Sequence, residues 1–251
     1  VYKRQIDPLR DAETVETELM LADLDSVERR IDPLRKKATA DRQAKIEVAV
    51  MEKVLAVLQE GKPARTAEMT AEEMPIFRHM QLITAKPILY VCNVDEDSAA
   101  EGNEYSQRVI EKAEAEGAGV VIVSAAIESE VSQLGSQEER QEYLESLGLA
   151  EAGLDRLIRS GHALLDLITF LTTGPKESRA WTVRRGAAAP EAAGVIHSDF
   201  ERGFICAEVI AYDDFVACGS EQAAKDAGKM RQEGRDYIVQ DGDVILFRFN
   251  V

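Results

Sequence analysis

Cysteine, histidine and long apolar runs are scarce in this sequence of 251 residues. Its three cysteines show neither a pairing pattern nor Cys-x-x-Cys spacing, which favours a reducing compartment over a disulfide framework. Its three histidines lack metal-ligand spacing with cysteines or acids, so no metal site is predicted. No apolar run reaches the length of a membrane span, and no signal peptide is visible. A cytoplasmic protein without a membrane partner is therefore expected.

Positive charge is also in short supply, with 30 Lys and Arg against 46 Asp and Glu, a net charge of −16. Such acidity argues against indiscriminate binding to nucleic acid, and no DNA partner is expected. Residues 176–251 carry 10 basic and 13 acidic side chains, a net of −3, which leaves −13 on residues 1–175. The C-terminal part is therefore the better candidate for contact with RNA, and a merely solvated surface is the alternative. Its densest basic residues are Arg184, Arg185, Lys225, Lys229, Arg231 and Arg235.

The sequence has no Gly-x-x-x-x-Gly-Lys-Ser/Thr motif, so no segment resembles a loop that cradles phosphate. It does have two apolar runs without alternation, at residues 87–92 and 119–124, which are typical of parallel strands covered on both faces. The first run leads into Asn93-Val94-Asp95-Glu96, and the second ends in Ser124-Ala125-Ala126. Because ligands bind beyond the carboxyl ends of parallel strands, these loops are typical of the base-reading half of a G-domain nucleotide site.

The identities of Val94 and Glu96 indicate which purine such a site would select. In G domains that bind GTP, an Asn-Lys-x-Asp motif reads the base, and its Asp accepts two hydrogen bonds from guanine. Here Val94 replaces the Lys and Glu96 replaces the Asp. The longer Glu side chain cannot take the bidentate position without rearrangement, so the change weakens guanine selection and permits adenine. Two alternatives stay open: ordinary loop chemistry for residues 93–96, and a helix N-cap for Ser124.

The first 60 residues predict a helical hairpin. Apolar residues recur with the 4-3-4-3 spacing of a coiled-coil seam at Met20, Leu24, Val27, Ile31 and Leu34. Pro33 is expected to kink or end the first helix nearby, and residues 37–42 are a plausible turn. An intramolecular hairpin is preferred over a partner-binding face.

The remaining sequence predicts an α/β segment followed by a small α+β segment. A helix over about 103–116 connects the two apolar strands, and polar helices follow at 127–147 and 151–163. Short strands are then expected near residues 168–172, 179–184, 204–210, 236–239 and 244–249.

Several longer stretches match one family together. They are residues 7–11 (Asp-Pro-Leu-Arg-Asp), 18–24 (Glu-Leu-Met-Leu-Ala-Asp-Leu), 82–87 (Leu-Ile-Thr-Ala-Lys-Pro), 93–96, 179–182 (Arg-Ala-Trp-Thr), 192–200 (Ala-Ala-Gly-Val-Ile-His-Ser-Asp-Phe) and 247–251 (Phe-Arg-Phe-Asn-Val). These stretches resemble the YchF (Obg-like ATPase) family. The resemblance covers essentially everything from Ile6 onward.

The resemblance implies an α/β fold in three parts. They are a partial P-loop G domain with a remnant of its parallel sheet, an inserted helical coiled-coil hairpin, and a C-terminal TGS domain of β-grasp fold. The implied boundaries are residues 1–14 for a remnant of the G domain, 15–69 for the insertion, 70–166 for the C-terminal half of the G domain and 167–251 for the TGS domain.

The resemblance also implies a ligand and a partner. Family members are similar to translational GTPases but prefer ATP, and they associate with ribosomes. Asn93, Val94 and Glu96 fall on the adenine-side motif, with Val94 acting through its backbone. Ser124, Ala125 and Ala126 fall on the following base-side loop. A contact with ribosomal RNA through the TGS domain is possible on the same grounds.

The family's P-loop, Mg²⁺-binding threonine and switch regions precede the first residue of this sequence. Residues 1–5 match nothing in the family, so we expect a truncated reading frame with a foreign N-terminal segment. The ligands of Mg²⁺ are then missing and ATP binding is expected to be weak or absent, because phosphoryl transfer depends on positioned phosphate and Mg²⁺. No catalytic residue is predicted. The sequence thus suggests the C-terminal part of an ATP-hydrolysing, ribosome-associated switch, with a non-enzymatic ribosome- or RNA-binding module as the alternative.

Overall fold

A computed structural model describes residues 6–174 and 177–250. The chain divides into two compact units, one ending at Ser160 and the other beginning at Gly161. The first unit contains a helical hairpin and a two-stranded parallel sheet, and the second contains a five-stranded mixed sheet. Helices α1 to α7, of which the last runs into the second unit, are Pro8–Lys37, Arg42–Gln59, Met74–His79, Glu104–Glu116, Ala125–Gln133, Gln137–Ser146 and Gly153–Leu164.

The hairpin of α1 and α2 forms because each helix has a start signal and an apolar stripe. Asp7 caps α1 by accepting a hydrogen bond from the Arg10 amide, and Asp41 caps α2 by accepting one from the Gln43 amide. The predicted seam is confirmed, since its residues pack against α2. The fully buried residues along the two helices include Val27, Ile31, Val50, Val54 and Leu58.

Pro33 lies inside α1, which continues to Lys37 instead of ending at the proline. A proline lacks an amide hydrogen and so gives up one helical hydrogen bond. Its neighbours Ile31 and Leu34 still pack in the core formed with α2, which offsets that loss. The connector between the helices, residues 38–41, lies inside the predicted turn.

A buried carboxylate, Asp23, joins the root of the hairpin to the chain that follows it. Asp23 on α1 is 3% exposed. It accepts hydrogen bonds from the Ile83 amide at 2.9 Å, the Thr84 amide at 2.7 Å and the Thr84 hydroxyl at 2.6 Å. Because a buried carboxylate is stable only when its oxygens are hydrogen-bonded, this arrangement fixes the approach to the first strand against α1.

Strands β1 (Leu89–Asn93) and β2 (Gly119–Val123) pair in parallel, with Asn93 opposite Val123. The crossover helix α4 begins at a capping box formed by Asn103. Both strands lie within two residues of their predicted bounds. The register therefore brings the ends of the two strands, and the loops that follow them, side by side.

The predicted helix over residues 127–147 is two helices, α5 and α6. Ser136 caps the second, because its hydroxyl accepts from the Glu139 amide at 3.1 Å and the Glu139 carboxylate accepts from the Ser136 amide at 3.2 Å. This Ser-x-x-Glu capping box is a sequence signature of a helix start that the prediction overlooked.

The second unit is a five-stranded sheet in the order β4-β3-β7-β5-β6, with helices packed on it. Its core includes Phe170 and Phe247, whose rings meet edge to face at 5.9 Å. Strands β3 to β7 are Leu167–Thr173, Ser178–Arg184, Phe204–Ile210, Arg231–Glu233 and Val244–Phe249; helices α8 to α11 are Ala189–Ile196, Ser198–Arg202, Tyr212–Cys218 and Glu221–Asp226.

The strand predicted at residues 236–239 is wrong, and the strand in that region is β6, residues 231–233. Residues 237–239 instead form only an isolated antiparallel bridge, with Ile238 opposite Ala188. The Tyr237 carbonyl accepts from the Ala189 amide at 2.8 Å, and the Val239 amide donates to the Ala187 carbonyl at 3.1 Å. An apolar pair in a short loop can thus be buried without joining a sheet.

The hydrogen bond made by Tyr237 should make the second unit less stable at alkaline pH. Its hydroxyl donates to Asp243 at 2.7 Å, and burial together with this bond raises the pKa of Tyr237 to about 12. An unfolded tyrosine titrates near ~10, so the stabilisation is complete below about pH 10 and is lost as the pH rises towards about 12. The difference in unfolding free energy between wild type and Tyr237→Phe should therefore shrink over that range in urea titrations. Tyr212→Phe, at an exposed site, is the control, and a difference that does not change with pH would contradict the assignment.

Candidate nucleotide site

Asn93 ends β1 and connects the two loops that follow the parallel strands. Its side-chain oxygen Oδ1 accepts a hydrogen bond from the Ala125 amide at 3.0 Å. Ala125 is the first residue of α5, two residues beyond Val123. The Val94 amide also donates to the Val123 carbonyl at 2.9 Å. One side-chain bond and one main-chain bond thus hold the predicted base-side loops together.

The carboxylates of Asp95 and Glu96 have different surroundings. Asp95 accepts a hydrogen bond from the Ser98 amide at 3.0 Å and caps the short 3-10 turn Glu96–Ser98. Glu96 is exposed, and within the described residues its carboxylate makes no hydrogen bond or ion pair. Glu96, like the exposed Asp97 beside it, is therefore open to a ligand, and Glu96 is the one at the position of the base-reading acid. The Val94 amide is already bonded, which leaves the Val94 carbonyl as its free backbone group.

Ser124 is a buried polar residue at the carboxyl end of β2. It is 2% exposed, and its hydroxyl has no hydrogen-bond partner in the part of the chain that the structure describes. The hydroxyl does not cap α5, so the ordinary N-cap considered from the sequence is not what forms. An unsatisfied buried hydroxyl costs about 1–3 kcal/mol, which a bound polar group would relieve.

Ala125 and Ala126 differ in what their amides can do. The Ala125 amide is occupied by Asn93 and is not available to a base. Ala126 is exposed in the first turn of α5, where helix amides have no partner within the helix. The second loop therefore offers the Ala126 amide as its donor.

A cavity of about 480 Å³ lies beside β1. Its walls include residues 90–95 of β1 and its loop, the start of α1, and α4. Asn93, Val94 and Asp95 line it, whereas Glu96 and residues 124–126 do not. The structure thus brings the two loops together but places only part of the first loop on the cavity wall.

Tyr90 anchors β1 three residues before Asn93. Its hydroxyl lies 3.1 Å from both Glu16 on α1 and Glu116 on α4 and can donate to one of them at a time. Lys112 pairs with both glutamates, at 3.3 Å from Glu16. Burial, then the charges of Glu16 and Glu116, raise the pKa of Tyr90 well above its usual range. This network joins residues about 100 positions apart, so no local sequence signal could have revealed it.

The six basic residues predicted to contact RNA do not form one patch. Arg184 and Arg185 lie at the end of edge strand β4 and just after it. The other four lie close to β6 in sequence, at the opposite edge: Lys225, Lys229, Arg231 and Arg235. Four strand spacings, about 19 Å, separate the two edges. Arg231 and Arg235 also lie 5.7 and 5.8 Å from the centres of aromatic rings, which engages part of their surface.

Within residues 6–174 and 177–250, no group of three or more His, Cys, Asp or Glu side chains could hold a metal ion. In the same residues, no helix is both long and apolar enough to cross a membrane. Burial raises the pKa of the Cys92 thiol, so this cysteine of β1 is held in its neutral form.

Comparison with known proteins identifies relatives along nearly the whole chain. A family model described as YchF-GTPase_C, protein of unknown function (DUF933), matches residues 167–250. "Ribosome-binding ATPase YchF" of Haemophilus influenzae is 55% identical over 248 residues, which are 98% of this chain and 68% of the relative. The protein of the same name in Bacillus subtilis is 49% identical, with the same coverage. "Obg-like ATPase 1" of Oryza sativa subsp. japonica is 42% identical over 98% of this chain and 63% of its own length.

Solved structures agree in fold. The Schizosaccharomyces pombe YchF GTPase superposes with a TM-score of 0.83 and 31% identity, covering 99% of this chain and 68% of that protein. A GTP-binding protein from Pyrococcus horikoshii OT3 superposes with a TM-score of 0.60 at 18% identity, covering 97% of this chain and 72% of that one. The second likeness concerns the fold alone.

The Asn93 bond predicts the protection of one amide. In Asn93→Ala the Ala125 amide loses its acceptor, so its hydrogen-exchange protection should fall about 3- to 10-fold, matching a net bond of about 0.5–1.5 kcal/mol. Asp95→Ala is the matched control, because that side chain bonds only within its own loop. Unchanged protection of the Ala125 amide in Asn93→Ala would show that the two loops are not held by this bond.

Proposed function

The chain belongs to the YchF family, and from that premise we propose that it is the base-reading and ribosome-contacting part of an ATP-dependent, translation-factor-like switch. Relatives from H. influenzae and B. subtilis bear the name ribosome-binding ATPase. The chain spans 68% of their length. A role on the ribosome would place the protein in the cytoplasm.

The hydrogen bond from the Ala125 amide to Asn93 is the observation that carries this proposal. It holds two loops at the carboxyl ends of adjacent parallel strands, where α/β folds bind nucleotides. Glu96, Val94 and Ala126 then offer a carboxylate, a carbonyl and an amide at the same end of the sheet.

Adenine is the base that we propose for this site. Its 6-amino group would donate to the Glu96 carboxylate or the Val94 carbonyl, and its ring N1 would accept from the Ala126 amide. Guanine presents the opposite pattern at those two positions, a carbonyl oxygen and an N–H. The ligand would therefore be ATP, bound weakly by these residues alone. No residue of this chain is assigned to Mg²⁺ or to hydrolysis.

The architecture that we propose is the one implied by the resemblance. Residues 1–14 and 70–166 would belong to a P-loop G domain, residues 15–69 to its inserted helical hairpin, and residues 167–251 to a TGS domain of β-grasp fold. The proposal is supported by the hairpin of α1 and α2, the parallel pair β1–β2 and the mixed sheet of the second unit.

A second candidate function is a non-enzymatic module of helical hairpin and TGS domain that binds the ribosome or its RNA. It is favoured by one observation, that the 251 residues contain no Gly-x-x-x-x-Gly-Lys-Ser/Thr motif. The two candidates can be distinguished by nucleotide binding, because only the first requires the chain to prefer one purine over the other.

Purine preference tests the first candidate. Val94→Lys combined with Glu96→Asp should raise the affinity for guanosine relative to adenosine, because the shorter carboxylate can pair with both donors of guanine. Titrations followed by amide chemical shifts of residues 93–96 and 124–126 would measure both affinities. Asp97→Asn is the control, as it removes an exposed carboxylate from the same loop. Equal relative affinities before and after the double change would remove Glu96 from base recognition.

Ribosome binding is tested by co-sedimentation of the whole chain with purified ribosomes at low and moderate salt. We expect a pelleted fraction that falls with salt, because phosphate contacts release counterions. If the TGS segment contacts ribosomal RNA, reversal of Arg184 and Arg185 and reversal of Lys225 and Lys229 should differ in effect, since they lie at opposite sheet edges. Equal binding by both double variants and the wild type would exclude that contact. Failure of the wild type to pellet at low salt would reject both candidate functions.

A further inference from the structure

Positive charge in this acidic chain is concentrated at one place, the end of the helical hairpin. Residues 29–45 contain seven Lys and Arg and two Asp, a net of +5, so the other 234 residues carry −21. Five of the seven lie within about one turn of the connector between α1 and α2 and are called here the basic tip. They are Arg35, Lys36, Lys37, Arg42 and Lys45.

The basic tip projects from the rest of the first unit. All five of its side chains are exposed. Lys37 ends α1 14 residues after Asp23, the buried anchor at the root of the hairpin. At 1.5 Å per residue, the tip therefore lies about 20 Å beyond that anchor along the helix. The tip is therefore well separated from the root of the hairpin.

Helix stability accounts for only three of the five residues of the basic tip. Lys and Arg in the last turn of α1 stabilise it by interacting with the negative end of the helix dipole. Arg42 and Lys45 lie in the first turn of α2, where the dipole is positive and acidic side chains are favoured. That turn contains no acidic residue. The placement of these two cations opposes the dipole, so it requires another explanation.

Ion pairing also leaves part of the basic tip without a partner. Arg35 contacts Glu52 at 3.0 Å, and Lys37 contacts Asp41 at 3.4 Å. Lys36, Arg42 and Lys45 form no ion pair with any residue in the described ranges. Three exposed cations thus remain for a partner of opposite charge.

We propose that the basic tip binds the phosphate backbone of ribosomal RNA. The inference rests on the proposed ribosome association and adds to it a contact outside the TGS segment. Phosphate backbone presents closely spaced anions that Lys and Arg neutralise without base recognition. Residues 29–45 contain no aromatic side chain, so the tip lacks the anchors typical of a protein interface. An acidic protein partner is therefore the less favoured occupant.

Fluorescence anisotropy with a labelled RNA duplex tests the phosphate contact on the whole chain. Lys36→Glu, Arg42→Glu and Lys45→Glu together should weaken binding at least about tenfold and lower the slope of log affinity against log salt by about 3. The matched control reverses three exposed cations outside the tip, Arg10, Arg78 and Lys86, and gives the same change in net charge. The control should retain the wild-type slope.

A milder variant with Gln at the same three tip positions guards against misfolding. It should give a similar change in slope with a smaller loss of affinity, because it removes the same three phosphate contacts without adding repulsion. Equal RNA affinity of wild type and both tip variants would overturn the proposal, as would an equal loss in the control. Thermal unfolding followed by circular dichroism verifies that each variant is folded.

Co-sedimentation with ribosomes separates failure of this inference from failure of the proposed function. Wild type and tip variants that pellet equally with ribosomes would overturn the tip contact and leave the proposed function standing. A wild type that binds the RNA duplex but does not pellet would reject ribosome association itself. Loss of pelleting with unchanged duplex binding would assign the tip to a ribosomal protein and overturn the RNA proposal.

Discussion

The parallel pairing of β1 with β2 is the constraint from which the candidate site follows. Parallel strands end at the same edge of a sheet, so this register brings two loops separated by some 30 residues to one place. The Asn93–Ala125 hydrogen bond then fixes the spacing of the loops at the point where they leave the sheet. Neither loop alone would present both acceptors and donors to a planar base.

The position of β1 depends in turn on the hairpin that precedes it. Asp23 of α1 holds residues 83 and 84, which lead into β1, and Glu16 of the same helix meets Tyr90 within the strand. Arg65 also pairs with Glu16, at 3.3 Å. The helix therefore contacts the strand through its carboxylates at two levels. A tilt of α1 would require either these buried bonds to break or β1 to move with it, which physically couples the hairpin to the loop at Asn93.

Much of the fold could be predicted because its signals are local. The apolar stripe of the hairpin, the two unalternated strand runs and the crossover helix α4 each have a signal within one element, and each forms as the sequence indicates. The errors arose where tertiary contacts decide. The residues around Tyr237 look like a strand but form only an isolated bridge with residues 187–189, and Pro33 stays in α1 because its neighbours are packed.

The sequence allowed the residues of the candidate site to be predicted, but not the hydrogen bonds among them. The types and order of residues marked Asn93 and Ser124, whereas only coordinates show that Asn93 uses the Ala125 amide and that the Ser124 hydroxyl is left unsatisfied. These are long-range facts set by strand register. The same limit applies to the six cations of the second unit, because nothing in the sequence indicated that the sheet separates Arg184 and Arg185 from the other four.

The basic tip of the hairpin attracts phosphate, whereas the acidic remainder of the chain repels it. The residues outside 29–45 carry a net charge of −21, which repels phosphate over about a Debye length of ~8 Å at physiological salt. A tip lying about 20 Å beyond the buried anchor is outside that distance, so its cations act with little opposition from the anchor region. Helix α1, held at Asp23 and Glu16, therefore carries the basic tip at one end and contacts the strand that ends at Asn93 near the other. Binding at the tip and binding at the Asn93 loop thus act on the same helix.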